Sequence, residues 1–314
     1  MPLDESAQQL IDLTRQQNNP PLGQVPVATS RELSNQLRAQ LQPDPPELFR
    51  VEDGVIPDGE QPIAYRRYWP DDASNKPQPA VVFFHGGGFV LGDLDSHDIV
   101  CRLLCQASGV QVISIDYRRA PEHKFPAAVI DAAHAAEWLH QHAAQLGLDP
   151  TQMALAGDSA GANLATVVCI DRKRKKQMPY ALQLLLYPVA DQHNDYDSKQ
   201  RYGQGYLLSR EAIEFYAQQY FASLQDRSDW RASPLLCEDL SGLPEALLIT
   251  AGYDPLCDEG EAYALRLAQA GVRTTVRRFP GQVHGFVSRA RVVPQALHAI
   301  EDMALLLRTR FERR

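Results

Sequence analysis

The segment from Ala154 to Gly161 places the tightest constraint on how this chain can fold. It reads as a short apolar strand that turns at Gly157 and leads directly into a helix of small residues beginning near Ala162. The turn is Gly157-Asp-Ser-Ala-Gly161, and its two glycines let two backbones approach where a side chain would collide. Such a turn holds Ser159 in a strained conformation with its hydroxyl projecting, so Ser159 is the candidate nucleophile. A tight turn that only caps the helix would have the same pattern.

Short apolar strands alternate with helices over most of the chain. This order predicts an α/β fold with a mainly parallel sheet covered by helices on both faces. Two earlier segments with period-two alternation, 49–56 and 63–69, predict an antiparallel opening to the sheet. The predicted strands that follow are 80–84, 110–115, 154–157, 182–187, 245–250 and 274–279, and the predicted helices are 99–107, 127–144, 162–168, 259–270 and 294–307.

Two segments lie outside this alternation. The N-terminal segment contains two short amphipathic helices, and the segment between Asp191 and Trp230 is helical and rich in aromatic residues. Each has an apolar stripe but no core of its own, so both must pack on something else. We therefore predict an N-terminal part of a helical cap over 1–45, a first part of the core over 46–190, a cap insertion over 191–230 and a second part of the core over 231–314.

Composition and charge exclude several classes of function. The formal net charge of -8 argues against a nucleic-acid surface, and we interpret the basic run Arg172–Lys176 as a solvated helix end. No apolar run is long enough to cross a membrane, and no leader pattern precedes the first helix. The 5 cysteines form no CxxC pair, which fits a reducing compartment and predicts a cytoplasmic location. No metal-binding motif such as HExxH is present.

A glycine loop directly after the strand 80–84 can supply donors for an oxyanion. In His85-Gly-Gly-Gly-Phe89, the absence of Cβ atoms lets backbone N–H groups approach a tetrahedral intermediate closely. The expected donors are the N–H groups of Gly87, Gly88 and Ala160, with Gly86 as the remaining candidate. The alternative is a flexible glycine turn.

Two further loops at strand ends can supply a base and a carboxylate. His284 lies in a loop between glycines after the strand 274–279, whereas His134, His140, His142 and His298 fall on predicted helix surfaces and His85 belongs to the glycine loop. Asp254 lies closest to the end of the strand 245–250, while Asp258 and Glu259 stand where they could cap the next helix. Asp254 is the preferred carboxylate, although an Asp-Pro turn is a common structural motif. The order Ser159, Asp254, His284 is the one expected of an α/β-hydrolase.

Side chains next to these loops and in the predicted cap are candidates for contact with a substrate. Those beside the loops are Phe89, Asp158, Tyr187 and Phe286, and those in the cap insertion are Tyr206, Leu207, Leu208, Phe215 and Tyr216. A roof of this kind would exclude water and bound an acyl pocket.

Together, several motifs resemble the hormone-sensitive-lipase-like family of α/β-hydrolase esterases. They are His85-Gly-Gly-Gly88, Asp116-Tyr-Arg-Arg-Ala-Pro-Glu-His-Lys-Phe-Pro-Ala-Ala128, Gly157-Asp-Ser-Ala-Gly161, Asp254-Pro-Leu and His284-Gly-Phe, and the similarity spans roughly residues 60–290. The resemblance implies a hydrolase of short to medium acyl esters with a helical cap. It also implies Asp254 as the triad acid and Glu122 as a structural member of a buried polar cluster.

The sequence thus predicts a serine carboxylesterase whose partner is a small ester and whose chemistry needs no cofactor or metal. Two alternatives stay open: a ligand-binding module like the plant hormone receptors that resemble this family but lack the histidine, and an amidase or peptidase of the same fold. The presence of His284 disfavours the first. The oligomeric state is left open, with a homodimer as one option.

Overall fold

The computed structural model describes residues 2–57, 61–72, 76–177 and 180–311. Its described residues form one 8-stranded sheet with the strand order β1-β2-β4-β3-β5-β6-β7-β8. Strand β2 is antiparallel to β1 and to β4, and the remaining neighbours are parallel. The strands are β1 Arg50–Ile56, β2 Ile63–Trp69, β3 Gln78–Phe84, β4 Gln111–Asp116, β5 Leu148–Asp158, β6 Tyr180–Leu186, β7 Glu245–Tyr253 and β8 Thr274–Val283.

Helices cover both faces of this sheet, as the alternation of segments predicts. The helices are α1 Glu5–Gln16, α2 Val27–Leu41, α3 Asp98–Ser108, α4 Ala127–Gln141, α5 Ala160–Arg174, α6 Asp197–Arg201, α7 Arg210–Tyr220, α8 Cys257–Gln269 and α9 Gln295–Phe311. Short 3-10 helices lie at Leu224–Ser228, Pro234–Leu236 and Phe286–Ser288. The predicted α/β fold with its antiparallel opening is confirmed.

The main differences from the sequence prediction are the lengths of two strands. Strand β5 begins at Leu148 and β8 continues to Val283. The additional residues of β8 include a pair between Tyr253 and Val283, beyond a register shift in its ladder with β7. Backbone pairing therefore extends these strands past the apolar stretches that a sequence pattern detects.

Side chains of β3 alternate between two apolar layers. Val82 and Phe84 join the cluster under α4, α5 and α8, whereas Val81 and Phe83 join the cluster under α3 and α9. The period of two along a strand sends successive side chains to opposite faces. A central strand that is buried on both faces therefore reads as a continuous apolar run.

The N-terminal segment packs on the core through α1 and the loop before it. Leu10 and Ile11 are buried in the same layer as α9. The backbone N–H of Asp4 donates to the Gly281 carbonyl at 3.0 Å, and the Gln282 side chain donates to the Asp4 carboxylate at 2.7 Å. These contacts give the apolar stripe of α1 the partner that the sequence pattern requires.

The basic run at the end of α5 differs from the prediction at one residue. Arg172 is buried and pairs with Glu137 at 2.7 Å, so its side chain is not solvated. Lys173 pairs with Asp239 at 2.6 Å at the surface. An anionic partner stabilises a buried guanidinium, and Glu137 of the neighbouring α4 provides one for Arg172.

No helix among the described residues is long and apolar enough to cross a membrane.

The start of α5 is held against β3 by an unusually close backbone contact. An ideal Cβ on Gly161 would lie 1.9 Å from the carbonyl oxygen of Phe84, and one on Gly157 would lie 2.4 Å from the carbonyl carbon of Gly161. Both distances are impossible for real atoms. Glycine is therefore required at these two positions for α5 to begin directly above the ends of β3 and β5.

Two substitutions of helical glycines test this contact. We expect Gly161→Ala to lower the free energy of unfolding by about 3 kcal/mol or more, because overpacking commonly costs ~1–3 kcal/mol and the contacted atom here belongs to the backbone. Gly260→Ala in α8 meets its nearest heavy atom at 3.5 Å. It should raise the free energy of unfolding by roughly 0.5–1 kcal/mol through helix propensity. Urea denaturation followed by circular dichroism measures both, and equal midpoints for the two variants would contradict the steric argument.

Candidate active site

Ser159, His284 and Asp254 form a continuous chain of hydrogen bonds. The Ser159 Oγ and His284 Nε2 atoms are 3.0 Å apart, and His284 Nδ1 lies 2.7 Å from Asp254 Oδ2. The three residues follow β5, β8 and β7, all at the carboxyl ends of parallel strands. Ser159 has φ 55 and ψ -117, a conformation that side-chain-bearing residues rarely adopt. The structure thus brings together the three residues that the sequence selects.

The hydrogen bonds around His284 determine its tautomer. Asp254 is fully buried, and its other oxygen accepts from the Leu256 N–H at 2.8 Å. Because an ionised carboxylate can only accept, Nδ1 of His284 carries the proton and Nε2 presents a lone pair to the Ser159 hydroxyl. The Tyr187 ring packs edge-on against the imidazole with centroids 4.8 Å apart. Ser159 is therefore oriented to lose its proton to a fixed base.

The two rival carboxylates have other partners. Asp258 accepts from the Ser198 N–H at 2.8 Å and pairs with Arg201 at 3.2 Å. Glu259 is fully buried, which raises the pKa of its carboxyl, while the Lys199 ammonium at 2.8 Å partly opposes that effect. Of these three acidic residues, Asp254 in the loop after β7 is the one within hydrogen-bond distance of His284, while Asp258 and Glu259 lie in the first turn of α8.

The glycine loop after β3 lies next to Ser159. Gly87 and Gly88 have φ values of 126 and 63, and the carbonyl of Gly87 accepts from the N–H groups of two residues further along the loop. Among the described residues, no acceptor is found for the N–H of either glycine. Ala160 is the first residue of α5, where an N–H has no intrahelical partner. These three N–H groups are available to an oxyanion.

The prediction of Gly86 as an oxyanion donor is wrong. Its N–H donates to Asp158 Oδ1 at 2.7 Å and also lies 3.3 Å from His97 Nε2. A donor held by a buried carboxylate cannot also bind an intermediate. Gly86 instead anchors the start of the loop to the residue before Ser159.

A cavity of about 430 Å³ opens above Ser159 and His284. Five of the predicted contact residues line it, namely Phe89, Asp158, Leu207, Leu208 and Tyr216. The lining comes from the glycine loop, from the helical insertion and from α2. Its walls therefore combine the core with both segments that lie outside the alternating pattern.

The other four predicted contact residues lie outside the cavity lining. Phe286 is fully buried against Phe279, and Tyr187 is buried against both Phe286 and His284. Tyr206 packs on Tyr253 and Tyr202, and Phe215 faces the backbone at Gly23. Each of these aromatic rings packs against other protein atoms instead of lining the cavity. The sequence alone does not reveal such packing.

Sequence reasoning missed His97, which organises the polar cluster behind the glycine loop. It is fully buried, and its Nε2 lies 3.2 Å from Asp158 Oδ1 and 3.2 Å from Arg38 Nη1. Burial by itself would raise the pKa of Asp158, but His97, Arg38 and the Gly86 N–H outweigh it and lower the pKa to about 2. Asp158 is thus a structural anion. A single histidine before a helix gives no sequence signal for this role.

The expectation for Glu122 is wrong. Its side chain is 53% exposed and pairs with Arg31 of α2 at 2.7 Å rather than joining a buried cluster. The Arg31 guanidinium lowers the pKa of the Glu122 carboxyl to about 2. Arg31 also donates to the carbonyls of Val90 and Ala120, so this residue joins α2 to two loops of the core.

Comparison with known proteins identifies the family of this chain. A profile of the alpha/beta hydrolase fold matches residues 81–288. The carboxylic ester hydrolase LipN of Mycobacterium tuberculosis is 45% identical over 252 residues, which cover 78% of this chain and 66% of LipN. The esterase LipI of the same organism is 39% identical over 269 residues, 85% of this chain and 84% of LipI.

A solved structure is similar over the whole length. The ester hydrolase EH1AB1 from the metagenome of Lake Arreo superimposes with a TM-score of 0.96 at 38% identity, covering 99% of both chains. The resemblance drawn from the sequence motifs is confirmed. This chain belongs to the α/β-hydrolase family, within its hormone-sensitive-lipase-like group of carboxylic ester hydrolases.

Proposed function

We propose that this protein is a serine carboxylesterase that cleaves short to medium acyl esters through an acyl-enzyme. The observation that carries the proposal is the hydrogen-bonded chain from Ser159 through His284 to buried Asp254, placed at the base of a cavity. Its relatives include a carboxylic ester hydrolase and an esterase. In this reading, Ser159 is the nucleophile, His284 the base and Asp254 the orienting carboxylate.

Acylation begins when Ser159 Oγ attacks the ester carbonyl carbon and its proton passes to His284 Nε2. Asp254 stabilises the imidazolium that forms. The negative charge on the former carbonyl oxygen is bound by the N–H groups of Gly87, Gly88 and Ala160. When the C–O bond to the alcohol breaks, His284 returns the proton to the leaving oxygen, and the acyl group stays on Ser159.

Deacylation repeats these steps with water. His284 takes a proton from a water molecule, whose oxygen attacks the acyl carbon, and the same N–H groups bind the second oxyanion. The bond to Ser159 Oγ then breaks, the serine regains its proton from His284, and the carboxylic acid leaves. Apart from the water molecule, the groups that take part in these two steps belong to the chain itself.

The size and lining of the cavity support a preference for short to medium acyl chains. A space of about 430 Å³ lies in the lower half of the range for small-molecule sites. Ser34 and Arg38 of α2, together with Leu208 and Tyr216 of the insertion, line it. This shared lining supports the proposal that 1–45 and 191–230 form one cap over the site.

Two alternative functions, the cellular location and the oligomeric state remain predictions. A receptor-like binding module is disfavoured because His284 stands 3.0 Å from Ser159, and an amidase or peptidase is distinguished by assay with matched amides. The 5 cysteines are free and buried, which fits the predicted cytoplasmic location. Light scattering of the purified protein tests the homodimer.

Ser159→Ala should abolish hydrolysis of 4-nitrophenyl acetate and butyrate while the fold is preserved, because no other group in the cavity would form the acyl intermediate. An organophosphate should label the wild type at Ser159 in a one-to-one ratio, as mass spectrometry of the peptides can show. A series of longer acyl esters measures the chain-length preference. Labelling at another residue, or activity in the variant, would remove Ser159 from the mechanism.

Asp254→Asn and Asp258→Asn are a matched pair of substitutions, one in the loop after β7 and the other in the first turn of α8. Asp254→Asn should lower kcat by about 10⁴, as in serine proteases, because the amide no longer favours the tautomer with a free Nε2. Asp258→Asn should leave kcat within a few-fold, since that carboxylate contacts Ser198 and Arg201 instead. Steady-state kinetics of both variants decide the assignment, and the reverse order of effects would assign the triad acid to Asp258.

Asp158→Ala tests the role of this carboxylate in positioning the glycine loop. Losing the acceptor for the Gly86 N–H should displace the oxyanion donors and lower kcat by roughly 10- to 100-fold with little change in KM. Asp158→Asn keeps an acceptor oxygen and should recover most of kcat. If both variants lose the same activity, the charge of Asp158 matters and the hydrogen bond to Gly86 does not.

A further inference from the structure

Most charged side chains that line the cavity neutralise one another. At the end formed by the insertion and α8, Asp191 is held by hydrogen bonds from Asn194 and Tyr196, and the other charged side chains stand in direct ion pairs. These pairs are Lys199 with Glu259 at 2.8 Å, Arg210 with Asp195 at 3.0 Å, and Arg227 with Glu214 at 2.9 Å.

Two arginines that line the same cavity have no such partner. In the described part of the chain, no carboxylate lies within ion-pair distance of Arg38 or Arg289. Arg38 Nη1 lies 3.2 Å from His97 Nε2, and Arg289 donates through Nη1 to the Gly285 carbonyl and to Ser288 Oγ at 2.7 Å. The Nε atoms of both arginines are buried without a hydrogen-bond partner. Among the described residues no hydrogen bond is found for Nη2 of either arginine, so each guanidinium has an unused donor at the cavity that Ser159 also lines.

The Asp158 carboxylate interacts electrostatically with both arginines, but it forms no direct ion pair with either of them. Its Oδ1 accepts from the Gly86 N–H and lies against His97. Burial and the charge of Arg38 lower the pKa of Arg289 to about 10, which remains cationic at neutral pH. Two partly desolvated guanidiniums without a direct counter-ion are costly to maintain in a folded protein. Such an arrangement indicates a ligand that supplies the missing charge.

We propose that Arg38 and Arg289 bind a carboxylate on the substrate, so that the preferred substrates are esters that carry an anionic group. This inference rests on the proposed esterase activity and specifies its substrate class. The planar guanidinium presents paired donors that match the two oxygens of a carboxylate. One residue comes from α2 in the predicted cap and the other from the loop that holds His284, so an anion between them would also join cap and core.

The position of Arg289 favours an anion on the alcohol part of the ester. Arg289 donates a hydrogen bond to the carbonyl of Gly285, the residue that follows His284. Because His284 protonates the leaving oxygen, the alcohol part of a bound ester extends towards this loop. We therefore expect the larger effect for a carboxylate in the alcohol than for one in the acyl chain.

Two matched pairs of esters test the inference. The alcohol pair is carboxymethyl butyrate and isobutyl butyrate, and the acyl pair is propyl hemisuccinate and propyl isocaproate. In each pair a carboxylate replaces an isopropyl group of similar shape. We expect kcat/KM for the charged member to exceed that of its neutral partner by about tenfold or more in at least one pair, as charge-assisted hydrogen bonds allow. This ratio should fall as salt is added.

Variants assign the effect to the two arginines. Arg289→Gln and Arg38→Gln should each lower the charged-to-neutral ratio by about tenfold, and Arg289→Lys should lower it less because the charge remains while the fork is lost. Arg210→Gln is the matched control, since Arg210 lines the same cavity but is paired with Asp195. It should leave the ratio unchanged. Circular dichroism verifies that each variant is folded.

Binding separates this inference from the proposed activity. Calorimetry on Ser159→Ala, with and without Arg289→Gln, measures the Kd of the four esters without turnover. If adding Arg289→Gln raises the Kd about tenfold for the charged esters and not for the neutral ones, the inference is supported. This holds even if the wild type hydrolyses none of the four esters, in which case only the esterase proposal fails. Hydrolysis of all four esters with no charged preference, or a preference that survives both arginine variants, overturns the inference and leaves the esterase proposal intact.

Discussion

The contact between Gly161 and the backbone of β3 is the constraint on which the rest of the site depends. A Cβ at this position would lie 1.9 Å from the Phe84 carbonyl and 2.7 Å from that of His85. The start of α5 can therefore lie directly against the loop that carries Gly87 and Gly88. This approach places the N–H of Ala160 beside the N–H groups of the loop, and it forces the residue before the helix, Ser159, into its positive-φ conformation.

A buried polar cluster keeps the glycine loop in register with this turn. Asp158 precedes the serine, accepts from Gly86 and lies against His97, so one carboxylate joins the loop after β3 to the turn after β5. On the other side of Ser159, Asp254 orients His284 by the same means, a buried anion satisfied by hydrogen bonds. Two buried anions therefore position the site. Asp158 positions the glycine loop, which carries proposed oxyanion donors, and Asp254 positions His284, the proposed base.

The cavity above Ser159 divides its charged groups into two kinds. Three cation–carboxylate pairs lie on the insertion and α8, of which Lys199 with Glu259 is the most buried, and Asp191 is held there by hydrogen bonds. Arg38 and Arg289 are left with unused donors on the side of α2 and His284. Paired charges hold the lining in place, whereas unpaired ones can act on a ligand. Under our proposal, this distinction gives the esterase site a preference for esters that carry an anionic group.

The sequence by itself determined the fold class, the order of nearly all the strands and helices, and the three residues of the hydrogen-bonded chain. It could do so because apolar periodicity and glycine spacing are local properties, and because Ser159, Asp254 and His284 each lie in a loop that follows a predicted strand. Only the tertiary structure decided that the N–H of Gly86 is already bonded, and that Phe286 and Tyr187 pack behind the site. It also revealed His97 behind the glycine loop and Arg38 and Arg289 in the cavity lining, because isolated polar residues on separate elements acquire a role only when the fold brings them together.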